Sequence, residues 1–221
     1  MSVSKNLQNF TQWGRKIVAV GRNYRDHCAE LGNPIPKSPL LFMKPPSSYL
    51  IEEAGPILIP RGCNDIHHEV ELGVVIGSKC QDVSEKEVLN HVAGYALTLD
   101  MTARDFQNEA KAKGNPWAMA KCFDTALPVS RFIALNEIPD PGNVELWCKV
   151  NGEERQRGTT SDMIFSISHL ISYISKYFTL DEGDLVLTGT PAGVGPVKEG
   201  DVLSCGITDL IEMNFNVKRK L

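Results

Sequence analysis

Three acidic residues have the types and spacing expected of a divalent-metal site. Glu69 and Glu71 are two residues apart in a run that is typical of a β-strand, so their side chains project from the same face. Asp100 ends a second apolar run, at a strand end where site residues concentrate. Carboxylates held this close repel one another unless a cation lies between them. Because an all-oxygen set suits a hard ion, we predict that these three residues bind Mg²⁺ or Mn²⁺.

Two alternatives stay open for this acidic cluster. A Glu-x-Glu pair is by itself more typical of the solvated face of an edge strand, where carboxylates cost nothing. His67 adjoins the pair, and if it also coordinated the ion, iron or zinc would become candidate metals. A histidine beside carboxylates more often orients a ligand through a hydrogen bond, which favours magnesium or manganese.

His27 and Glu30 form a candidate acid–base pair. They are three residues apart on a predicted short helix, so they share a face and can hydrogen bond. A histidine oriented by a carboxylate can act as a general base near neutral pH. The spacing alone favours a solvent-exposed pair, and proximity to the acidic cluster would reverse that interpretation.

Three further segments carry polar groups close in sequence to these residues. Arg104 and Gln107 share a face of the helix predicted just past the third carboxylate and would lean over the metal. Lys121 ends the short apolar patch WAMAK, an unusual place for a lysine that needs only water. The loop Thr188–Pro191 follows a strand, and its N–H groups and the Thr190 hydroxyl can hold a carboxylate.

The elements that must position these residues are mainly strands. Apolar or alternating runs predict strands at Lys16–Gly21, Leu40–Met43, Ile57–Ile59, His68–Ile76, Gly94–Leu99, Leu146–Val150, Glu153–Gln156, Leu185–Leu187 and Ile211–Val217. Asn151-Gly152 predicts a tight hairpin turn. Helices are predicted over Tyr24–Leu31, from Ser84 through His91, from Thr102 to Gly114, and between Ile164 and Phe178, the second and third of them opened by capping boxes. No regular strand–helix alternation and no glycine fingerprint of a doubly wound fold occurs, so we predict a mixed sheet with a few helices.

Composition restricts the class of protein further. The 221 residues are 42% hydrophobic and 23% charged, which is ordinary for a soluble protein with one large domain. The formal net charge of −4 and the lack of a basic stripe argue against nucleic-acid binding. No apolar run reaches the roughly 18 residues that span a bilayer. Six cysteines without a C-x-x-C pair indicate reduced thiols rather than a zinc knuckle.

Taken together, the motifs resemble those of the fumarylacetoacetate hydrolase family. The matching stretches occur in order from about Trp13 to the C-terminus, and they are Val20–Tyr24 with His27 and Glu30, His67–Gly73, Leu99–Asp105, Lys121 and Leu187–Pro191. Each stretch alone is weak evidence, whereas the joint pattern is highly specific.

The resemblance implies an α+β fold, a mixed β-roll with flanking helices, normally found as a homodimer. It implies an N-terminal leader over residues 1–15 and a single catalytic domain over residues 16–221. The metal ligands would be Glu69, Glu71 and Asp100, and a lid helix that orders when ligand binds would carry His27 and Glu30. The residues that fall where the family holds a 2-oxo acid are Arg22, Arg104, Gln107, Lys121 and Thr190.

The resemblance also implies three activities: acylpyruvate hydrolysis, oxaloacetate decarboxylation and oxaloacetate keto–enol tautomerisation. The hypothesis that unites them is a metal-bound enolate, with His27 as the base that activates water and Lys121 offsetting negative charge on oxygen. Two alternatives are a metal-dependent isomerase or hydratase of an aromatic-degradation intermediate, and a non-catalytic dicarboxylate-binding module. The intact His27–Glu30 pair argues against the second of these.

The family's relatives imply a mitochondrial location, with the cytoplasm as the alternative. Residues 1–25 contain five basic residues and no acidic one. That bias fits a weak mitochondrial presequence, and it fits a first strand with a site-lining loop equally well.

Overall fold

The computed structural model describes residues 6–30 and 32–220. Within these ranges the sixteen strands are β1 (Ile17–Gly21), β2 (Leu40–Lys44), β3 (Tyr49–Ile51), β4 (Ile57–Ile59), β5 (Ile66–His68), β6 (Val70–Ile76), β7 (Val92–Leu99), β8 (Thr102–Ala103), β9 (Leu127–Val129), β10 (Ile133–Ala134), β11 (Glu145–Val150), β12 (Glu153–Thr159), β13 (Leu185–Leu187), β14 (Gly195–Val197), β15 (Val202–Ile207) and β16 (Ile211–Arg219). The α-helices in the same ranges are α1 (Phe10–Trp13), α2 (Arg25–Glu30), α3 (Arg104–Lys113), α4 (Ala118–Lys121) and α5 (Ile167–Ser175).

The largest sheet has eight strands and carries the acidic cluster. Its order is β2-β1-β13-β6-β7-β9-β3, and β10 also pairs with β7. Strand β6 is buried along its whole length, and its β-branched run Val74–Ile76 suits a strand covered on both faces. Strands β6 and β7 pair antiparallel with Val70 opposite Leu99. This register brings the start of β6 beside the end of β7.

A five-stranded sheet packs against the large one and closes the main core. Its order is β12-β11-β15-β16-β4, and side chains such as Leu146 and Leu203 are fully buried between the two sheets. Helix α5 adds Leu170, Ile171 and Ile174 to the same core. The predicted α+β fold, a mixed β-roll with flanking helices, is confirmed.

The hairpin of the second sheet follows the predicted turn chemistry. Asn151 and Gly152 both have positive φ, 52° and 83°, the backbone of the tight two-residue turn that joins β11 to β12. A register shift between Cys148 and Lys149 marks a bulge in β11.

The prediction of a capping box at Thr102 is wrong. Thr102 is extended in the two-residue strand β8, where it pairs with His67 of β5, and its hydroxyl donates to the Asp100 carbonyl oxygen. Helix α3 begins at Arg104, and no side chain caps it at Ala103. Pairing with a distant strand has overridden the local capping pattern, and it brings Arg104 beside the acidic cluster.

Two other predicted helices are shorter than expected. Ser84 does donate to the Glu87 carboxylate from both its N–H and its hydroxyl, but only the 3₁₀ turn Val88–His91 follows. The amphipathic helix begins at Ile167 rather than Ile164, because the Ser166 hydroxyl caps it by accepting from the His169 N–H. The predicted end of the first helix, Leu31, lies outside the described residues.

The described N-terminal residues pack against the large sheet. Phe10 is buried in a second apolar cluster and makes an edge-to-face contact with Tyr49. The division into a leader over residues 1–15 and a domain over residues 16–221 stays a prediction. Among the described helices, none has the length and apolar character needed to cross a bilayer.

Candidate active site

The three predicted metal ligands lie together at the ends of β6 and β7. Glu69 immediately precedes β6, Glu71 lies within it, and Asp100 follows β7, with the Asp100 N–H donating to the Glu69 carbonyl oxygen at 2.8 Å. One carboxylate oxygen from each residue lies within 4.8 Å of the others. All three side chains are buried. The solvated edge strand considered for the Glu-x-Glu pair is therefore excluded by the structure.

The acidic cluster has an uneven charge distribution. Burial, together with the neighbouring Asp100 and Glu69 carboxylates, raises the pKa of Glu71 well above its usual value. Burial also acts to raise the pKa of Glu69, but Lys121 and Arg104 outweigh it and hold that pKa below its usual range. The cluster thus favours a proton on Glu71 and a negative charge on Glu69.

Two buried lysines neutralise part of this acidic charge. Lys121 donates to Glu69 Oε2 at 2.8 Å and to Asp100 Oδ2 at 2.5 Å. Burial acts to lower the pKa of Lys121, but the two carboxylates outweigh it and the pKa is raised. Lys44 donates to Asp100 Oδ1 at 2.6 Å and to the Lys121 carbonyl oxygen at 2.5 Å, and burial lowers its pKa. Lys121 is thus held as the firmer cation of the two.

Helix α3 provides a polar arm beside the carboxylates. Arg104 donates to Glu69 Oε1 at 2.5 Å and to Gln107 Oε1 at 2.7 Å. Lys111, one turn further along the helix, donates to the same Gln107 oxygen at 3.0 Å. Arg104 and Gln107 therefore share the face of α3 that points toward the cluster. Lys111 lies on the same face and adds a second cation.

The His27–Glu30 pair lies on α2, and His27 lines a cavity together with the three carboxylates. His27 is buried, and its Nδ1 is 3.4 Å from Glu30 Oε2. The Gly193 N–H donates to both Glu30 carboxylate oxygens at 3.2 Å, which ties the end of α2 to the loop after β13. With Nδ1 facing the carboxylate, Nε2 is the ring nitrogen left to meet a ligand in the cavity that His27 lines.

Arg22 lies in a strained turn between β1 and α2. Its φ of 60° is rare for a residue with a Cβ, and such outliers concentrate at functional sites. The adjacent Asn23 holds the turn, because its side-chain amide donates to the Thr188 and Phe165 carbonyl oxygens at 2.8 and 3.0 Å. The same contact fixes the loop after β13 against the turn.

The loop Thr188–Pro191 closes the cavity on the other side. The Gly189 N–H donates to Glu71 Oε2 at 2.7 Å. Gly189 has a φ of 97°, and an added Cβ would lie 2.7 Å from Asn23 Cβ, so only glycine fits here. The Thr190 hydroxyl oxygen accepts from Gln156 Nε2 at 2.8 Å. The loop therefore orients a metal-ligand candidate as well as presenting Thr190.

A single cavity collects nearly all of the predicted site residues. The ones that line it are Arg22, His27, Glu69, Glu71, Asp100, Arg104, Gln107, Lys121 and Thr190, and Glu30 lies behind His27. His67 does not line it and is not among the clustered candidate ligands, and its Nε2 hydrogen bonds to Asp65 Oδ1 at 2.9 Å. The iron or zinc site that would use His67 is thus disfavoured.

Sequence reasoning missed three polar residues of this region. Lys44 ends the apolar strand β2, the same strand-end signal that pointed to Asp100. Lys111 lies four residues after Gln107, on the same face of α3. Gln156 reaches the site from the second sheet, and no local pattern marks it.

An apolar groove of about 480 Å³ adjoins the cavity and shares Leu40, Phe42 and Trp117 with it.

The donor chemistry of the cluster fits a hard divalent cation. It offers only carboxylate oxygens, and within the described part of the chain it is the one group of three or more candidate ligands whose donor atoms come this close. Buried acids at this separation are costly unless a cation neutralises them. Lys44, Lys121 and Arg104 pair with Glu69 and Asp100, and no ion pair among the described residues involves Glu71. Glu69, Glu71 and Asp100 are thus the residues that would hold Mg²⁺ or Mn²⁺.

Comparison with known proteins agrees with this geometry. The family model described as fumarylacetoacetate (FAA) hydrolase C-terminal matches residues 16–218. The chain is 56% identical to the mitochondrial oxaloacetate decarboxylase of Dictyostelium discoideum, over 96% of this chain and 97% of that protein. It is 53% identical to the mitochondrial oxaloacetate tautomerase FAHD1 of Bos taurus, over 99% of both chains.

A solved structure shows the same fold with a ligand. The fumarylpyruvate hydrolase from Pseudomonas aeruginosa, solved in complex with Mn²⁺ and pyruvate, superposes with a TM-score of 0.88 at 34% identity, over 94% of this chain and 91% of that one. The matched family model spans nearly all of the chain, and the relatives match over nearly their full length. The chain therefore belongs to the fumarylacetoacetate hydrolase family.

Proposed function

We propose that the protein is a Mg²⁺- or Mn²⁺-dependent enzyme of 2-oxo acids that tautomerises and decarboxylates oxaloacetate and hydrolyses acylpyruvates. The observation that carries this proposal is the buried cluster of Glu69, Glu71 and Asp100, which shares one cavity with Lys121 and His27. The relatives named as oxaloacetate tautomerase and decarboxylase, and the neighbour named as a fumarylpyruvate hydrolase, support the same reaction class.

The charge of the cavity suits an anionic substrate. Three carboxylates line it together with four cationic side chains, which are Arg22, Arg104, Lys111 and Lys121. A divalent ion would increase the excess of positive charge, and such a cavity attracts and stabilises a dicarboxylate such as oxaloacetate. Arg22 and the Thr190 hydroxyl flank the carboxylates, where they would hold the carboxylate group of the 2-oxo acid.

All three reactions develop negative charge on the oxygen of the 2-oxo group. When bound, the divalent ion draws electron density from that carbonyl. Lys121 is held cationic beside Glu69 and Asp100, so its ammonium can offset the charge that develops on the oxygen. Decarboxylation breaks the C3–C4 bond of oxaloacetate, releases C4 as carbon dioxide and leaves the electron pair of the bond in the enolate of pyruvate. The reaction ends when C3 takes up a proton. Tautomerisation breaks no carbon–carbon bond and transfers a proton from C3 to the C2 oxygen.

Hydrolysis of an acylpyruvate needs an activated water molecule as well. His27, oriented through Nδ1 by Glu30, would remove a proton from water as the oxygen attacks the distal acyl carbon. The bond from that carbon to C3 then breaks, its electron pair forms the enolate of pyruvate, and the acyl group leaves as a carboxylic acid. The proton that His27 removed from water would then return to C3 of the enolate and give pyruvate. The apolar groove at Leu40, Phe42 and Trp117 has room for the acyl group.

The isomerase, hydratase and passive-binding alternatives are less favoured. Relatives at more than half identity carry the names of oxaloacetate enzymes, and a passive binder has no use for an oriented histidine. The relatives also indicate where the protein acts. Their mitochondrial names support a mitochondrial location rather than a cytoplasmic one. The choice of Mg²⁺ or Mn²⁺ and the predicted homodimer stay predictions.

The test is turnover of oxaloacetate and acetylpyruvate by the purified protein, with and without a chelator. We expect both substrates to be consumed, the chelator to stop both reactions, and added Mn²⁺ or Mg²⁺ to restore them. Metal without protein gives the background rate. As a control for carboxylates outside the site, Glu109→Ala removes an exposed carboxylate paired with Lys113 and should behave like the wild type. Full activity in the presence of chelator, or no turnover of either substrate, would exclude the proposed function.

A further inference from the structure

Gln156 is a fully buried side chain that joins the two sheets at the active site. It lies on β12, in the hairpin of the second sheet, and has no exposed surface. Its Oε1 accepts from the Val70 N–H at 3.1 Å and lies 2.9 Å from His68 Nδ1. Its Nε2 donates to Thr190 Oγ1 at 2.8 Å and to the Pro191 carbonyl oxygen at 2.9 Å. One amide thus contacts both the strand of the acidic cluster and the loop after β13.

The orientation of this amide has a single chemical solution. The Val70 N–H can only donate, so the atom that faces it must be the amide oxygen. The Pro191 carbonyl can only accept, so the atom that faces it must be the amide nitrogen. Because two backbone groups fix both ends, the amide cannot flip without two buried mismatches.

The fixed amide determines the direction of the next hydrogen bond. The Thr190 hydroxyl oxygen has to accept from Gln156 Nε2, so its own proton points elsewhere. Thr190 is nearly fully buried and lines the cavity with Arg22 and Lys121. A carboxylate in that cavity can only accept. The hydroxyl is therefore preset as the donor that such a ligand needs.

We propose that Gln156 is a positioning residue, which fixes the Thr190 hydroxyl as a hydrogen-bond donor to the substrate carboxylate. The inference rests on the proposed function, in which Thr190 contacts the carboxylate of a 2-oxo acid. His68 supports the arrangement, since its Nδ1 must carry a proton to donate to the same amide oxygen. Without Gln156, the hydroxyl would be free to present its lone pairs to the anion.

The test compares Gln156→Met, Thr190→Val and the double variant. The probe is oxalate, titrated calorimetrically against the Mn²⁺-loaded protein, alongside KM and kcat for oxaloacetate. A hydrogen bond to a charged group contributes enough that each single variant is expected to weaken oxalate binding about tenfold to 100-fold. KM should rise more than kcat falls. If Gln156 acts through Thr190, the double variant binds oxalate no more weakly than the single variant with the lower oxalate affinity.

A matched control separates positioning from general stability. Thr160 is buried and its hydroxyl makes two hydrogen bonds, to the Val144 N–H and the Pro141 carbonyl oxygen, away from the cavity. Thr160→Val should lower the thermal midpoint comparably and leave the oxalate Kd unchanged. If Gln156→Met does not fold, Gln156→Glu at mildly alkaline pH replaces it. That variant keeps an oxygen for Val70 but presents an acceptor to Thr190, and the same loss of oxalate affinity is expected.

Three results would overturn the inference. Gln156 variants that bind oxalate within about twofold of the wild type would show that the amide has no effect on the ligand. A double variant whose loss of oxalate affinity equals the product of the two single-variant losses would show that Gln156 acts independently of Thr190. Unchanged oxalate binding by Thr190→Val would show that the hydroxyl does not meet the carboxylate. Turnover by the wild type is measured in parallel, and its absence alone would indicate that the proposed function, rather than the role of Gln156, is wrong.

Discussion

Lys121→Met should separate metal binding from catalysis. The ammonium bridges Glu69 and Asp100, two of the three carboxylates that would hold the metal. It therefore competes with a divalent cation for the same oxygens and repels it. The same positive charge would stabilise the enolate oxygen during turnover. The variant should consequently bind Mn²⁺ more tightly than the wild type and yet turn over more slowly.

The magnitude follows from the contacts of Lys121. Its Nζ lies 2.8 Å from Glu69 Oε2 and 2.5 Å from Asp100 Oδ2, so an ion held by those oxygens would be its close neighbour. A unit charge and a divalent ion about 4 Å apart repel by about 8 kcal/mol at an effective dielectric constant of about 20, twice the value for two unit charges. Part of this gain is lost, because carboxylates without Lys121 bind protons more readily. We expect the Mn²⁺ Kd to fall at least about tenfold, which is about 1.4 kcal/mol, and kcat to fall about 100-fold or more.

The assay is a calorimetric titration with Mn²⁺ at mildly alkaline pH, where protons compete least, paired with oxaloacetate turnover. Lys113→Met is the matched control, because Lys113 is exposed on α3 and pairs only with Glu109 among the ion pairs of the described residues. It should change neither quantity. Equal or weaker Mn²⁺ binding by Lys121→Met would refute the reasoning, since it would mean that the lysine organises the carboxylates instead of competing with the ion.

Three other predictions concern a metal-ligand candidate, the candidate base and the pH dependence of metal binding. Asp100→Ala removes a ligand that all the reactions share, so Mn²⁺ binding and every activity should disappear, and decarboxylation by a folded variant would contradict this. His27→Ala should slow acetylpyruvate hydrolysis about 100-fold or more but slow decarboxylation far less, because only hydrolysis requires water to be deprotonated; unchanged hydrolysis would mean that another residue activates water. The raised pKa of Glu71 means that a metal must displace its proton, so Mn²⁺ affinity should increase with pH up to that pKa, and calorimetry in two buffers of different ionisation enthalpy should detect proton release. Affinity independent of pH would contradict the last of these.

Local patterns were sufficient to predict most elements of the fold. The apolar run of β6 needs no partner to be recognised as a strand, and Asn151-Gly152 determines its turn through backbone preferences alone. The apolar stripe of α5, with Leu170, Ile171 and Ile174, likewise has helical spacing whatever it packs against. These signals depend on neighbours in sequence, which is why the sequence carries them.

Features that depend on distant partners could not be predicted in this way. Lys44 meets the Lys121 carbonyl across 77 residues, and Gln156 meets Val70 across 86. The strand-end position of Lys44 marks the residue but not its partner, and no local pattern marks Gln156. Thr102 shows the opposite failure, since its sequence matches a capping box but its pairing with His67 makes it a strand residue. Tertiary pairing outweighs a local preference of about 1 kcal/mol.

The candidate site was predictable in its residues but not in its geometry. Strand periodicity placed Glu69 and Glu71 on one face, helical spacing and loop position indicated most of the other site residues, and the family resemblance added Arg22. That His27 lies beside the acidic cluster depends on how α2 packs against the loop after β13, through Glu30 and Gly193. The positive φ of Arg22 occurs in a turn that Asn23 holds through hydrogen bonds to Thr188 and Phe165, which are distant in sequence.

The most direct test of the metal site is a crystal structure of the protein grown with Mn²⁺ and oxalate. We predict one manganese ion per chain that contacts an oxygen from each of Glu69, Glu71 and Asp100, with two oxalate oxygens completing part of its coordination. An anomalous difference map at the manganese edge would identify the ion. The contradictory result is a map without an ion at the cluster, in which the Lys121 ammonium still bridges Glu69 and Asp100.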